Sequence, residues 1–326
     1  MEQHSDKKHF YFEVANNVWG MKDVFVNLYM VKSTNNDEWF LVDAGLKTSF
    51  QKIKRMASSL FGDKKPQAII LTHGHFDHIG SLKKLIEEWK VPVYAHYLEL
   101  PYLTNKSSYP PPDPTVGGGL MAYMASIYPT MPADLGAHAI ALPEDGSIPG
   151  FKEWRYIHTP GHTFGHISLF RDDDKVLIAG DAFITTKGES AMQSIFLQTK
   201  KVSRPPAYFT PDWKAANDSI KQIISLAPEV VATGHGKPMN GKEMRRELHY
   251  LHEHFYDEFV PQHGRYAYEA AVADASGLLY VPPPAYNPYT KWLVAGAAAV
   301  LTVSVLPFLL KKKSRNNFFD KLLSGI

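Results

Sequence analysis

No cysteine occurs among the 326 residues, which excludes disulfides, thiolate metal sites and cysteine nucleophiles. A bound metal would have only nitrogen and oxygen ligands to draw on. A basic excess is missing too. The net charge is +2, and residues 311–326 hold five of the 35 Lys and Arg but one of the 33 Asp and Glu, leaving 30 basic against 32 acidic residues in the first 310. A chain of this size that grips nucleic acid usually shows a basic stripe, and none is visible. The first twelve residues carry charges and no apolar stretch before Phe10, so no secretory signal is expected and the folded part is expected in the cytoplasm. With 44% hydrophobic residues the composition suits an ordinary core, in one large domain or two small ones.

Histidine, by contrast, is concentrated. His73, His75, Asp77 and His78 fall within six residues of the stretch Thr72-His73-Gly74-His75-Phe76-Asp77-His78-Ile79-Gly80, just after Ala68-Ile69-Ile70-Leu71. That short branched run, bounded by Pro66, reads as a buried strand. The histidines therefore leave a strand's carboxyl end, where open α/β sheets present their chemistry. Imidazole and carboxylate suit zinc or a similar divalent ion, and small Gly74 lets ligands converge without helical geometry. A surface loop that merely happens to be His-rich is the plainer alternative, and the density of ligand types argues against it.

Strand patterns also cover His9–Val14, Val24–Lys32 and Trp39–Val42, then Val91–Ala95, Ala139–Leu142, Trp154–His158, Ile167–Phe170, Val176–Ala179 and Glu229–Thr233. Apolar residues spaced by three and four predict helices over Lys47–Phe61, Gly80–Trp89 and Asp212–Leu226. Strands alternating with helices predict an α/β fold. Residues 101–136 break the pattern with Pro110-Pro111-Pro112, Gly117-Gly118-Gly119 and a Met and Tyr cluster. This reads as an insertion outside the core, a lid over an apolar substrate or, equally, a short helix covering the core edge. Further metal-capable residues sit beside glycines at strand ends: His162, Asp181 and His235.

Five separated motifs resemble those of the metallo-β-lactamase-fold hydrolase superfamily and occur in its order from about Phe10 to Val260. They are Val42-Asp43-Ala44-Gly45, the His-x-His-x-Asp-His run, Pro160-Gly161-His162-Thr163, Gly180-Asp181 and Gly234-His235-Gly236. The resemblance implies a four-layer αββα sandwich with a two-metal site. It assigns His73, His75 and His162 to one ion, Asp77, His78 and His235 to the other, and Asp181 to a bridge between them. Asp43 would orient the histidine loop from behind. The implied reaction is hydrolysis by a metal-bound hydroxide, with Asp181 catalytic through the bridge and Asp77 a candidate proton shuttle. Zinc is the expected metal, with manganese or iron as alternatives, because the flavodiiron branch carries glutamate for the second histidine of the run and this chain keeps His75. Gly180–Phe183, Lys187–Ser190 and Pro261–Gly264 look like a group of bacterial metallo-hydrolases without an assigned substrate. The expected substrate is a small, partly apolar ester, thioester or lactone. Phosphodiester cleavage by a nuclease of the same fold is an alternative that the charge opposes. A non-enzymatic metal-stabilised binding protein is another, opposed by the complete set of seven ligands.

Other histidines carry less. His166 is expected to hydrogen-bond within its turn; His249, His252 and His254 lie on a predicted helix and read as a solvated face; His263 sits in a loop within reach of a pocket. Tyr208, Phe209 and Trp213 are candidate pocket walls, or core. The catalytic domain is read as residues 1–280, followed by a Pro-rich linker 281–291, an uncharged stretch 292–310 and a basic amphipathic tail 311–326. As a helix the uncharged stretch would measure about 28 Å, close to the ~30 Å hydrocarbon core of a bilayer, with Tyr286, Tyr289, Trp292 and Lys311-Lys312-Lys313 at its ends. Membrane attachment through a transmembrane helix is thus expected, a helix packed on the domain being the alternative.

Overall fold

The computed structural model describes residues 10–197 and 199–286. One compact unit reaches to Pro284. The candidate transmembrane stretch 292–310 and the tail 311–326 lie outside the described residues, and no helix among the described residues is long and apolar enough to cross a membrane.

Two sheets carry the unit. The first has seven strands in chain order: β1 Phe12–Ala15, β2 Val18–Asp23, β3 Val26–Lys32, β4 Trp39–Val42, β5 Ala68–Ile70, β6 Val93–Ala95 and β7 Ala139–Ala141. β1 to β4 pair antiparallel; β4 to β7 pair parallel, with Phe40 opposite Ala68 and Ile69 opposite Val93. The second sheet is built from β8 Trp154–His158, β9 Ile167–Arg171, β10 Val176–Gly180, β11 Val230–Thr233 and β12 Met239–Asn240, in the order β12-β11-β10-β9-β8.

Alternation along the central strands explains the layering. In β4, Trp39 and Leu41 pack on one face with Ile53 and Met56 of helix α1 (Phe50–Phe61), while Phe40 and Val42 pack on the other with Ile167, Leu169 and Ile178 of the second sheet. In β10, Val176 and Ile178 join that inter-sheet core, while Leu177 and Ala179 face Ile220 of the helix Trp213–Ser225 and Leu248 of the helix Gly241–Glu253. Strands buried on both faces need apolar residues at every position, and Trp39–Val42 and Val176–Ala179 supply them. Three apolar layers separate four structural ones, helices, sheet, sheet, helices, as the resemblance implies.

Several boundaries depart from the sequence pattern. β2 was hidden by Gly20, Lys22 and Asp23, which dilute its apolar residues. The run Val24–Lys32 is broken because Val24 turns the chain with a left-handed φ of 57°, so that β3 begins at Val26. The histidine loop is not wholly without helical geometry: Phe76–Ile79 form a single turn, α2, before α3 (Leu82–Trp89). Residues 101–136 are anchored at both ends, since Leu103, at the end of α4 (Leu100–Leu103), and Leu135 belong to the core beneath the first sheet. Their middle holds a short helix α5 (Leu120–Tyr123), with Leu120, Tyr123, Ile127 and Met131 exposed. Helices α6 (Trp213–Ser225) and α7 (Gly241–Glu253) cover the second sheet.

His96, after β6, and His158, at the end of β8, stack across the two sheets with ring centroids 4.1 Å apart and planes inclined by 11°. His158 Nε2 donates to the Phe164 carbonyl at 2.8 Å. Burial, and then His158, push His96 down to about 4; burial also lowers His158. An unfolded histidine titrates near 6.5, so the folded state binds fewer protons between the two values. The contribution of His96 to stability is therefore full above about pH 6.5 and lost as pH falls towards 4. His96→Asn, which keeps an acceptor for the Leu98 N–H, should show a smaller fall in urea midpoint between pH 6.5 and 4 than the parent chain. Parallel curves would show that the stacked pair has no such effect.

Candidate metal centre

The carboxyl ends of β4, β5, β8, β10 and β11 lie at one edge of the sandwich, and each delivers a motif there. Asp43 follows β4, the histidine loop follows β5, His162 lies between β8 and β9, Asp181 follows β10 and His235 follows β11. The seven residues singled out as ligands are no more than 6% exposed. Their donor atoms converge in three groups, His73/His75/His162, His73/His78/Asp181 and Asp77/His78/His235, and within each group all lie within 4.8 Å of one another.

The spacing is that of a ligand cage. His75 Nδ1 and His162 Nε2 are 3.0 Å apart. Asp181 Oδ2 lies 3.5 Å from His162 Nε2, 3.7 Å from His78 Nε2 and 3.0 Å from His235 Nε2. Asp77 Oδ2 lies 3.6 Å from His235 Nε2 and 3.9 Å from His78 Nε2. A tetrahedral ion with bonds of about 2.0–2.2 Å sets its ligand atoms roughly 3.3–3.6 Å apart. Of the cage atoms, His73 Nε2 and His78 Nε2 are buried without a hydrogen-bond partner, and leaving such atoms unmatched costs about 1–3 kcal/mol each. Buried imidazole nitrogens and carboxylate oxygens converging at this spacing fit a cation.

Outer contacts fix which nitrogen faces in. Asp43 accepts from the Thr72 N–H, the Thr72 hydroxyl and His78 Nδ1, each at 2.8 Å. A carboxylate only accepts, so Nδ1 of His78 carries a proton and Nε2 is the nitrogen left to face a metal. The Thr72 hydroxyl, having donated to Asp43, takes its other bond from His73 Nδ1 at 3.0 Å, with the same result. His235 Nδ1 donates to the Phe25 carbonyl at 2.8 Å. The His235 loop is held from the first sheet, where Asn27 Nδ2 donates to the carbonyls of Thr233 and Gly236 and Tyr29 donates to that of Thr233. Gly234 has to be glycine: a Cβ there would collide with Asp181 Oδ1.

Electrostatics divide the histidines. Burial, reinforced by neighbouring imidazoles, holds His73 and His162 well below the usual range and His75 at about 3, so all three are neutral. Burial also opposes charge on His78 and His235, but Asp43, Asp77 and Asp181 around His78, and Asp181 and Asp77 beside His235, outweigh it and raise both. The carboxylates split as well. Burial works to raise Asp181, yet His235 and His78 outweigh it and hold it well below the carboxylate range; Asp77, farther from both rings, is raised by burial.

Other residues fall where the sequence left them open. His166 bonds Thr159 through Nδ1 and accepts the Asp181 N–H on Nε2 at 2.8 Å, so it pins the Asp181 backbone. Tyr208 and Phe209 line the cleft at the centre, whereas Trp213 is in the core under α6. His252 shares a hydrogen bond with Asn217, and His263 is exposed; from that region it is Tyr266 that lines a small cleft beside His75 and His162. No motif in the sequence marks Glu99. Fully buried, it accepts from the Gly74 N–H at 3.0 Å, the Thr163 hydroxyl at 2.6 Å, the Gly165 N–H at 2.9 Å and the Tyr109 hydroxyl. One carboxylate thus ties the His73–His75 loop to the His162 loop. The available signal was a lone acid in the otherwise uncharged run Tyr97–Leu103.

The profile of the metallo-beta-lactamase superfamily matches residues 21–235. A probable metallo-hydrolase of Bacillus subtilis, YflN, is 47% identical over 239 residues, which cover 73% of this chain and 90% of the relative. Probable metallo-hydrolase YybB of the same organism is 29% identical over 212 residues, 65% of this chain and 81% of its own. Among solved structures, a beta-lactamase domain protein from Burkholderia ambifaria shares the fold with a TM-score of 0.52 at 20% identity, over 75% of this chain and 76% of that one. Fold, motif order and relatives agree: the chain belongs to the metallo-beta-lactamase superfamily.

Proposed function

We propose that this metal-dependent hydrolase cleaves a small uncharged ester, thioester or lactone at a dinuclear centre. His73, His75 and His162 would hold one ion, Asp77, His78 and His235 the other, and Asp181 both. Two divalent ions bound there supply Lewis acidity, which acidifies water and polarises an acyl oxygen. The observation that carries the reading of substrate is the wall of the cleft. Phe25, Phe76, Met121, Tyr128, Tyr208 and Phe209 surround the cluster, and no lysine or arginine among the described residues lines it. A phosphodiester carries a charge for which a site normally provides cationic side chains; an uncharged acyl compound needs none.

The chain's own groups divide the remaining work. Asp181, kept ionised, stays a ligand. Asp77, raised by burial, is the carboxyl suited to carry a proton to the leaving group. Tyr208, kept protonated by burial and by Asp77, is a hydroxyl donor in the cleft for an acyl oxygen. The free volume of the cleft is about 10 Å³, room for roughly one water molecule, so substrate entry requires the cover to move. Residues 117–131 are suited to this. Met121 and Tyr128 face the cleft, and the backbone before them has three consecutive glycines of positive φ, of which Gly119 lies against the Glu189 carbonyl too closely for a Cβ.

Saturation with zinc or manganese should give about two ions per chain by elemental analysis, and Asp181→Ala should lower that number and abolish turnover. A content no higher than about one ion would exclude the dinuclear centre. In a panel of uncharged esters, thioesters, lactones and a phosphodiester, kcat/KM should be highest on an acyl substrate; preference for the phosphodiester would reject the proposed class.

Glu99→Gln gives up one acceptor in a site that offers four donors. Metal affinity should fall by roughly 10–100-fold, the usual effect of losing an outer contact of a metal site, with the circular dichroism spectrum unchanged. Unaltered affinity would leave Glu99 a purely structural residue.

A further inference from the structure

His75 and Asp77 face the metal cleft, but Gly74, Ile79 and Gly80 of the same stretch line a second cavity of about 670 Å³, within the roughly 300–1,000 Å³ of small-molecule sites. Phe76 is common to both. The walls of the second cavity are largely apolar, with Leu46, Ile79, Pro129, Met131 and Leu135 among them. Its charged side chains are of one sign. Lys47, Lys83 and Lys84 stand at it, all exposed, and no carboxylate among the described residues lines it. Among the described residues none of the three is engaged in an ion pair; Lys84 lies over the Phe50 ring at 5.9 Å.

An apolar chamber with three ammonium groups outside any ion pair and, among the described residues, no acid is complementary to a molecule that is hydrocarbon at one end and anionic at the other. We propose that this cavity binds a straight-chain alkyl carboxylate, its chain among Leu46, Ile79, Met131 and Leu135 and its carboxylate at Lys47, Lys83 and Lys84. The proposal is independent of the reaction at the metal centre. A cavity whose lining is largely apolar and whose charged side chains are all cationic selects against neutral and cationic amphiphiles of equal length, because these leave the lysines unmatched or repelled.

Calorimetric titration of the full-length, metal-loaded protein with octanoate, decanoate and dodecanoate, all below their micellar concentrations, tests it. Each added methylene should tighten binding roughly three- to fourfold, and dodecyltrimethylammonium should not compete. Replacing both Lys83 and Lys84 by alanine, an exposed change, should weaken dodecanoate roughly tenfold without altering metal content. Ala133→Phe, which narrows the cavity, should flatten the dependence on chain length. Dodecanoate binding that is indifferent to the lysine pair places the carboxylate elsewhere, the metal ions included, and overturns the proposal. So does equal binding of the cationic amphiphile, or the absence of a chain-length trend.

Discussion

A single carboxylate at the end of β4 sets the geometry on which the candidate centre depends. Asp43 takes the backbone N–H and hydroxyl of Thr72 and the Nδ1 proton of His78. It does so from a left-handed backbone with φ of 62°, a conformation that aspartate tolerates better than most residues. Through Thr72 its influence extends to His73. Two inward-facing nitrogens thus have their protonation decided by a residue that need not touch a metal. The parallel pairing of β4 with β5 places Val42 opposite Ile70, so the carboxylate and the histidine loop emerge side by side; the sheet register itself supplies the contact.

Glu99 plays the corresponding part on the other side of the centre. It satisfies donors from two separate loops while wholly buried, and burial raises it against four hydrogen bonds that favour its ionised form. Such a site stays stable only while every donor is present. The loops of His75 and His162 therefore hold their relative positions through one shared acceptor.

The central strands and their helices were readable because Trp39–Val42, Ala68–Ile70 and Val176–Ala179 are apolar without interruption, and because the apolar residues of Phe50–Phe61 and Leu82–Trp89 fall on one face. The ligand residues were readable because glycines mark the turns that carry them. What escaped notice depended on partners remote in the chain. Glu99 meets donors at positions 74, 109, 163 and 165, and Asn27 meets carbonyls at 233 and 236; neither local periodicity nor spacing encodes such meetings. Val24 escaped for the opposite reason: its β-branched side chain signals strand, and the tertiary turn between β2 and β3 overrides that preference.

The donor atoms of the centre come from both sheets and from positions as far apart as His73 and His235. Neither half of the chain can assemble the cage alone, so the cage exists only once the two sheets have docked. An ion bound there reports on the least local event in folding and adds its binding free energy to that step, by RT ln(1 + [L]/Kd). Withdrawing such an ion would take that contribution from the docking of the two sheets and leave their shared apolar core to hold them.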